Sequence, residues 1–215
     1  MRDELEKVKQ RTQAYWFVDG LAEMAIGCIL GLIALLFLID GTAPEGSPLH
    51  MVSSLGLLPV ILLGSWAGGR VVTAIKAHIT YPRTGFVSYQ RTPRRRGATL
   101  AFGALVAAVA VAAVAGLALA TKSMPNLLVL AQGAIGAAML VFLGHSMDLR
   151  RFYVLAALSV AFGIGAAATG LGDILGDAIY FGLMALALVI AGALTLRAYL
   201  RDAPPPAAQG EDDAA

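Results

Sequence analysis

The chain has 215 residues, of which 58% are hydrophobic and 14% are charged, a balance far from that of soluble proteins. Its apolar residues form uninterrupted blocks of about twenty, and each block is long enough to cross the ~30 Å hydrocarbon core as a helix. A formal net charge of +2 argues against a general affinity for nucleic acid, and the single cysteine, Cys28, excludes an internal disulfide. The composition therefore predicts an all-α fold, a polytopic transmembrane helical bundle.

Residues 1–16 are predicted to form a short amphipathic helix that lies on the membrane surface. Leu5 and Val8 share one face of this helix. Tyr15 and Trp16 follow, and such aromatic residues are favoured where headgroups meet hydrocarbon. An ordinary solvated helix is the alternative.

The first membrane span is expected to begin near Phe17 or Val18. The apolar run from Met24 to Ile39 is only sixteen residues long, about 24 Å of helix, which falls short of the hydrocarbon core. Asp19 and Glu23 would then lie in the first turns, four residues apart on one helix face.

These two carboxylates need a partner, because a charged group near hydrocarbon is costly. Arg70 in the second span is the predicted partner of Asp19 and Glu23, since it lies near the depth expected for Glu23. The structural interpretation is a set of ion pairs that fixes the first helix against the second. The alternative is a proton or ion site.

The remaining apolar runs predict a six-helix membrane domain over residues 17–200, followed by a disordered acidic tail at 201–215 that is rich in Pro and Ala. With six spans, every one of the 16 Lys and Arg residues except Lys122 falls on the side of the termini. The positive-inside rule therefore predicts cytoplasmic N- and C-termini. The six predicted spans cover residues 17–39, 51–75, 98–120, 126–144, 152–171 and 178–198.

A basic cytoplasmic loop, KAHITYPRTGFVSYQRTPRRRG at residues 76–97, separates the second and third predicted spans. Its aromatic residues can anchor it at the interface, while each basic residue contributes about 1 kcal/mol of attraction to anionic lipid. The alternative is a loop that only determines topology. The candidates for binding anionic phospholipid headgroups or a protein partner are Tyr81, Arg83, Arg94, Arg95 and Arg96.

Two segments resemble a known family. YWFVDGLAE at residues 15–23, together with ITYPRTGFVSY at 79–89, is similar to a family of small bacterial multi-pass membrane proteins with no assigned biochemical activity. The resemblance covers the first two spans and the central loop. It implies a location in the bacterial inner membrane, and it supplies no catalytic residues.

Other motifs give no sign of a reaction. The chain has no HExxH zinc motif, and Ser65 has no evident His partner at a matching depth. Asp173 and Asp177 are one helical turn apart, and we interpret them as helix-cap or solvated carboxylates rather than metal ligands. We therefore predict no catalytic residues, no metal and no cofactor.

The expected function is that of a non-enzymatic membrane component whose basic loop engages anionic lipid or a protein partner. Small residues spaced by four, as in Gly27 and Gly31, also leave self-association open. The alternative is a small-solute or ion transporter or channel that uses Glu23 and Asp19.

Overall fold

The computed structural model describes residues 17–79, 127–147 and 149–202. These residues form five α-helices and no strand, each helix being long and apolar enough to cross a membrane, so the all-α prediction is confirmed for the described part of the chain. This is consistent with an integral, multi-pass membrane protein. The helices are α1 (Leu21–Thr42), α2 (Pro48–Ile79), α3 (Leu127–Met147), α4 (Arg151–Ala168) and α5 (Asp173–Asp202).

Several predicted features lie outside the described residues. They are the surface helix at 1–16, the span at 98–120, the basic loop from residue 80 onward and the tail from residue 203 onward. The five other predicted spans each coincide with one of the five helices.

The start of α1 differs from the sequence prediction. The helix begins at Leu21 rather than near Phe17, because Gly20 adopts a left-handed conformation with φ 74° immediately before it. Phe17 to Gly20 form a turn in which the Gly20 N–H donates to the Phe17 carbonyl at 3.2 Å. The helix gains its length at the other end, since it continues to Thr42 and reaches 22 residues, about 33 Å.

Helices α1 and α5 form the centre of the bundle. They make the most extensive helix contact; α2 packs against α1, while α4 packs against both α5 and α3. Glycines allow the closest approaches, as small residues do in membrane bundles. A Cβ added at Gly27 would lie 2.9 Å from the Ala185 carbonyl oxygen, and one at Gly163 would lie 2.9 Å from the Gly133 Cα.

The two ends of the bundle can be assigned from contacts between helix termini. At the end where α1 begins, here called the proximal end, Gly20 meets Gly192 in the second half of α5. At the distal end, Gly41 meets Leu175, and Val129 meets Gly176. Helices α1 and α4 therefore run from the proximal to the distal end, and α2, α3 and α5 run back.

Large apolar side chains cover the outside of the bundle. On α2, Leu55, Leu58 and Leu62 are each about two-thirds exposed, at 69%, 69% and 68%. Soluble monomers rarely expose so many neighbouring large apolar side chains. Lipid contact accounts for them, because hydrocarbon imposes no cost on an apolar surface.

Candidate functional site

Asp19 forms a buried ion pair at the proximal end. It lies in the turn before α1, where its Oδ1 accepts a hydrogen bond from the Leu21 N–H at 3.2 Å, which satisfies one unpaired donor of the helix start. Its Oδ2 lies 3.0 Å from the Lys76 Nζ near the end of α2. Both side chains are only 1% exposed, so this pair is shielded from water.

Glu23, in the first turn of α1, forms a second ion pair. Its Oε1 accepts hydrogen bonds from the Arg151 Nε at 2.9 Å and Nη2 at 2.8 Å, and Nη2 also donates to the Phe17 carbonyl. Glu23 is fully buried, whereas the Arg151 side chain is 26% exposed. The other carboxylate oxygen, Oε2, is buried and has no hydrogen-bond partner among the described residues.

The two ion pairs connect three helices at one level of the bundle. Asp19 holds the end of α2 through Lys76, and Glu23 holds the start of α4 through Arg151. Breaking a buried pair by removing one partner leaves an uncompensated charge and costs about 3–5 kcal/mol. This cluster of four side chains, here called the proximal cluster, therefore resists separation of α2 and α4 from α1.

The structure corrects the predicted partner of the two carboxylates. The Arg70 guanidinium lies over the Trp66 ring, with Cζ 4.3 Å from the ring centroid, on the exposed side of α2. Lys76 comes six residues later, which is a rotation of about 240° around the helix, so it presents a different face to α1. The Asp19 and Glu23 candidates are brought together, but with Lys76 and Arg151.

Sequence reasoning misses these two cations because it assigns both to loops. Lys76 is the first residue of the predicted basic loop, and Arg151 precedes the predicted start of its span by one residue. The sequence does contain a signal: Lys76 and Arg151 each directly border an apolar run, and the predicted topology places both on the same side of the membrane as Asp19 and Glu23. The other binding candidates, Tyr81 and Arg83 and the arginines at 94–96, lie outside the described residues.

No protein-family model, curated protein or solved structure matches this chain.

A second polar cluster lies between α3, α4 and α5. The Ser159 hydroxyl donates to the Gly133 carbonyl at 2.9 Å, and the hydroxyl oxygens of Ser159 and Tyr180 are 2.9 Å apart. The Tyr180 hydroxyl also lies 3.2 Å from the Gln132 carbonyl, to which it donates. Ser159 and Tyr180 are fully or almost fully buried, and their hydrogen bonds join the three helices without any charge.

Asp177 departs from its predicted environment. The sequence suggested a solvated or capping carboxylate, but the residue is only 8% exposed and its Oδ1 has no hydrogen-bond partner in the described part of the chain. The reason is topological: α5 begins at Asp173, and one turn later it is covered by α3, whose Val129 contacts Gly176. A single sequence could not show which neighbour would cover that turn.

A third polar cluster at the distal end joins α1 to α2. The Asp40 Oδ1 lies 3.2 Å from the His50 Nδ1, 2.7 Å from the Ser53 Oγ and 3.2 Å from the Ser54 Oγ. Both serine hydroxyls lie within hydrogen-bonding distance of Asp40 and of the His50 main-chain carbonyl oxygen, not of the His50 imidazole, so this arrangement does not activate a serine nucleophile. No group of three or more His, Cys, Asp or Glu suited to a metal occurs within residues 17–79, 127–147 and 149–202.

Proposed function

We propose that the protein is a non-enzymatic component of the bacterial inner membrane whose basic loop at 76–97 engages anionic phospholipid headgroups or a protein partner. The observation that carries this proposal is the burial of Lys76, three residues before the end of α2, in an ion pair with Asp19. The pair fixes the last turn of α2 at the proximal end, and residues 80–97, which include Arg94 to Arg96, follow directly in the sequence.

The direction of the helices supports a sixth span. Helix α2 ends at the proximal end, and α3 begins at the distal end, so the chain between them leaves from one end of the bundle and returns from the other. The sequence between them contains the apolar run at 98–120, which has the length of a span.

This topology also supports cytoplasmic termini. The ends of α2 and α5 and the start of α4 share the proximal end, which therefore receives Lys76, Arg150 and Arg151, together with Arg197 and Arg201. Cations gathered at one end are typical of the cytoplasmic face.

The test compares two triple variants with equal charge change. R94Q/R95Q/R96Q removes the arginine cluster of the loop, and R150Q/R197Q/R201Q removes three exposed arginines at the proximal end. Each protein is reconstituted into neutral vesicles that contain a trace of fluorescent phosphatidylglycerol, and energy transfer from the protein's tryptophans reports local enrichment of that lipid.

We expect R94Q/R95Q/R96Q to lose most of the enrichment. At about 1 kcal/mol for each of the three arginines, the association constant should fall by roughly 140-fold at low salt. The loss should shrink in about 1 M salt, because the Debye length shortens to ~3 Å. An equal loss in both variants would show that net charge alone attracts the lipid. Unchanged enrichment in the loop variant would remove the lipid proposal and leave a protein partner or a second copy of the chain.

A second candidate function is a transporter or channel for a small solute or ion. The observation that favours it is the buried, unpartnered Oε2 of Glu23, a residue in a membrane-spanning helix. Flux into vesicles that contain Glu23→Gln distinguishes the two functions. A coupling site loses flux while the folded fraction stays normal, whereas a structural pair loses stability first.

A further inference from the structure

The outer surface of α2 carries a cation that has no anionic partner among the described residues. Arg70 is exposed, and its guanidinium lies over the ring of Trp66, with Cζ 4.3 Å from the ring centroid. Within residues 17–79, 127–147 and 149–202, the ion pairs join other side chains. A cation in a membrane-spanning helix is costly unless an anion compensates it.

Arg70 lies near the boundary between hydrocarbon and headgroups. Gly68 on α2 faces the start of α1, since a Cβ added at Gly68 would lie 3.8 Å from the Ala25 Cβ. Because α1 and α2 run in opposite directions, Arg70, two residues after Gly68, is about 3 Å nearer the proximal end. It is therefore level with the first turn of α1. From this depth a long arginine side chain can reach the headgroup layer.

The neighbouring parts of the chain supply no carboxylate to this surface. Among the five described helices, α2 contacts only α1. The α1 carboxylate at the level of Arg70, Glu23, binds Arg151 instead. The sequence from residue 80 to residue 126, which follows α2, contains no Asp or Glu. The missing anion is therefore one that the membrane itself can provide.

The surface beside Arg70 has the shape and chemistry that a phospholipid needs. Leu58, Leu62, Trp66 and Arg70 are each four residues apart, so they form one exposed ridge along α2. The leucines continue toward the distal end, where acyl chains can lie against them while the phosphate stays at Arg70. Tryptophan is favoured at the level where headgroups meet hydrocarbon. A free phosphate ion would leave the leucines without a contact.

We propose that the Arg70 and Trp66 surface of α2 binds the phosphate of an anionic phospholipid in the proximal leaflet, with the acyl chains along Leu62 and Leu58. An anionic headgroup suits Arg70 better than a zwitterionic one, because it carries no cation that competes with the guanidinium. This site is separate from the arginine cluster at 94–96, so the two proposals can fail independently.

Trp66 can report lipid contact at the site once Trp16, the other tryptophan of the chain, is replaced by Phe. The full-length Trp16→Phe protein is reconstituted into mixed vesicles of phosphatidylglycerol and phosphatidylcholine, with bromine on the acyl chains of one lipid or the other. Bromine quenches tryptophan fluorescence only at short range, so the two quenching curves give the preference of the site. We expect a preference for phosphatidylglycerol of about fivefold at low salt, and none in Arg70→Gln.

Two controls in the same background separate this site from other cations. Arg197→Gln makes the same charge change at an exposed arginine of α5, and it should keep the preference at Trp66. R94Q/R95Q/R96Q should also keep it, even where the enrichment of labelled lipid around the whole protein falls. An equal loss in Arg70→Gln and in either control would overturn the proposal, because net charge or the loop would then attract the lipid.

The lysine substitution guards against a loss that comes from altered folding. Arg70→Lys keeps the charge and should retain more of the preference than Arg70→Gln, and equal behaviour of the two would count against a phosphate at this position. The proposal is also overturned if the Trp16→Phe protein shows no preference. That result is expected if acidic side chains of residues 1–16 occupy Arg70 in place of a lipid.

Discussion

Replacing Lys76 by Met tests the proximal cluster directly. Methionine keeps much of the apolar length of lysine but removes the ammonium group that lies 3.0 Å from the Asp19 Oδ2. The Asp19 carboxylate would then be left 1% exposed without that cation. We expect the free energy of unfolding to fall, because the protein must either keep a buried charge or open to hydrate it.

The expected loss follows from the separation and the burial of the pair. Coulomb's law at 3.0 Å gives a gross attraction of about 5.5 kcal/mol for an effective dielectric constant of about 20. Desolvation of both groups offsets part of this attraction in the wild type, but truncating one partner leaves the desolvation cost of the other. The net loss for Lys76→Met should therefore be about 3–5 kcal/mol.

Equilibrium unfolding in mixed micelles of SDS and a mild detergent measures this loss. Arg70→Met is the matched control, because it removes a cation from the exposed side of the same helix and gives up only a cation–π contact, about 0.5–1 kcal/mol. Asp19→Asn combined with Lys76→Met should recover much of the stability, since asparagine can still cap the start of α1. Equal losses for Lys76→Met and Arg70→Met would refute the reasoning.

Two further predictions concern packing and topology. Gly163→Ala should lower the free energy of unfolding by about 1–3 kcal/mol, because its Cβ would lie 2.9 Å from the Gly133 Cα. Gly165→Ala is the control: its Cβ would have no atom within 4 Å, so the free energy of unfolding should rise by about 0.5–1 kcal/mol. Equal effects of the two substitutions on unfolding in SDS would contradict the close contact between Gly163 and Gly133. In a cysteine-free background, a membrane-impermeant thiol reagent should label Glu45→Cys on intact cells and Arg94→Cys only after the cells are permeabilised. Labelling of Arg94→Cys on intact cells would show that the predicted orientation is wrong.

The sequence predicts the helices well because lipid imposes a simple rule. A span must be about twenty apolar residues long, and five such runs coincide with the described helices. The start of α1 was wrong for a specific reason. A span does need more residues than Met24 to Ile39, but α1 obtains them by continuing past Asp40 to Thr42, while the left-handed Gly20 prevents the helix from starting before Leu21.

The partners of the carboxylates could not be obtained from the sequence in the same way. Depth along a helix follows from counting residues, and that count predicts Arg70 near the level of Glu23. Which face of α2 meets α1 depends on packing, which counting residues does not give. Packing puts Lys76 against Asp19 and leaves Arg70 on the exposed side of α2. The contact between Glu23 and Arg151 joins residues 128 positions apart, and only the position of α4 in the bundle brings them together.

The pairing of Glu23 with Arg151 has a consequence for how the protein enters the bilayer. The ribosome adds residues at about 5–20 per second, so Arg151 is made roughly 6–26 s after Glu23. During that interval Glu23 lacks the guanidinium that pairs with it in the folded bundle. The contact that holds the start of α4 to α1 can therefore form only after Arg151, the first residue of the fourth described helix, has been synthesised.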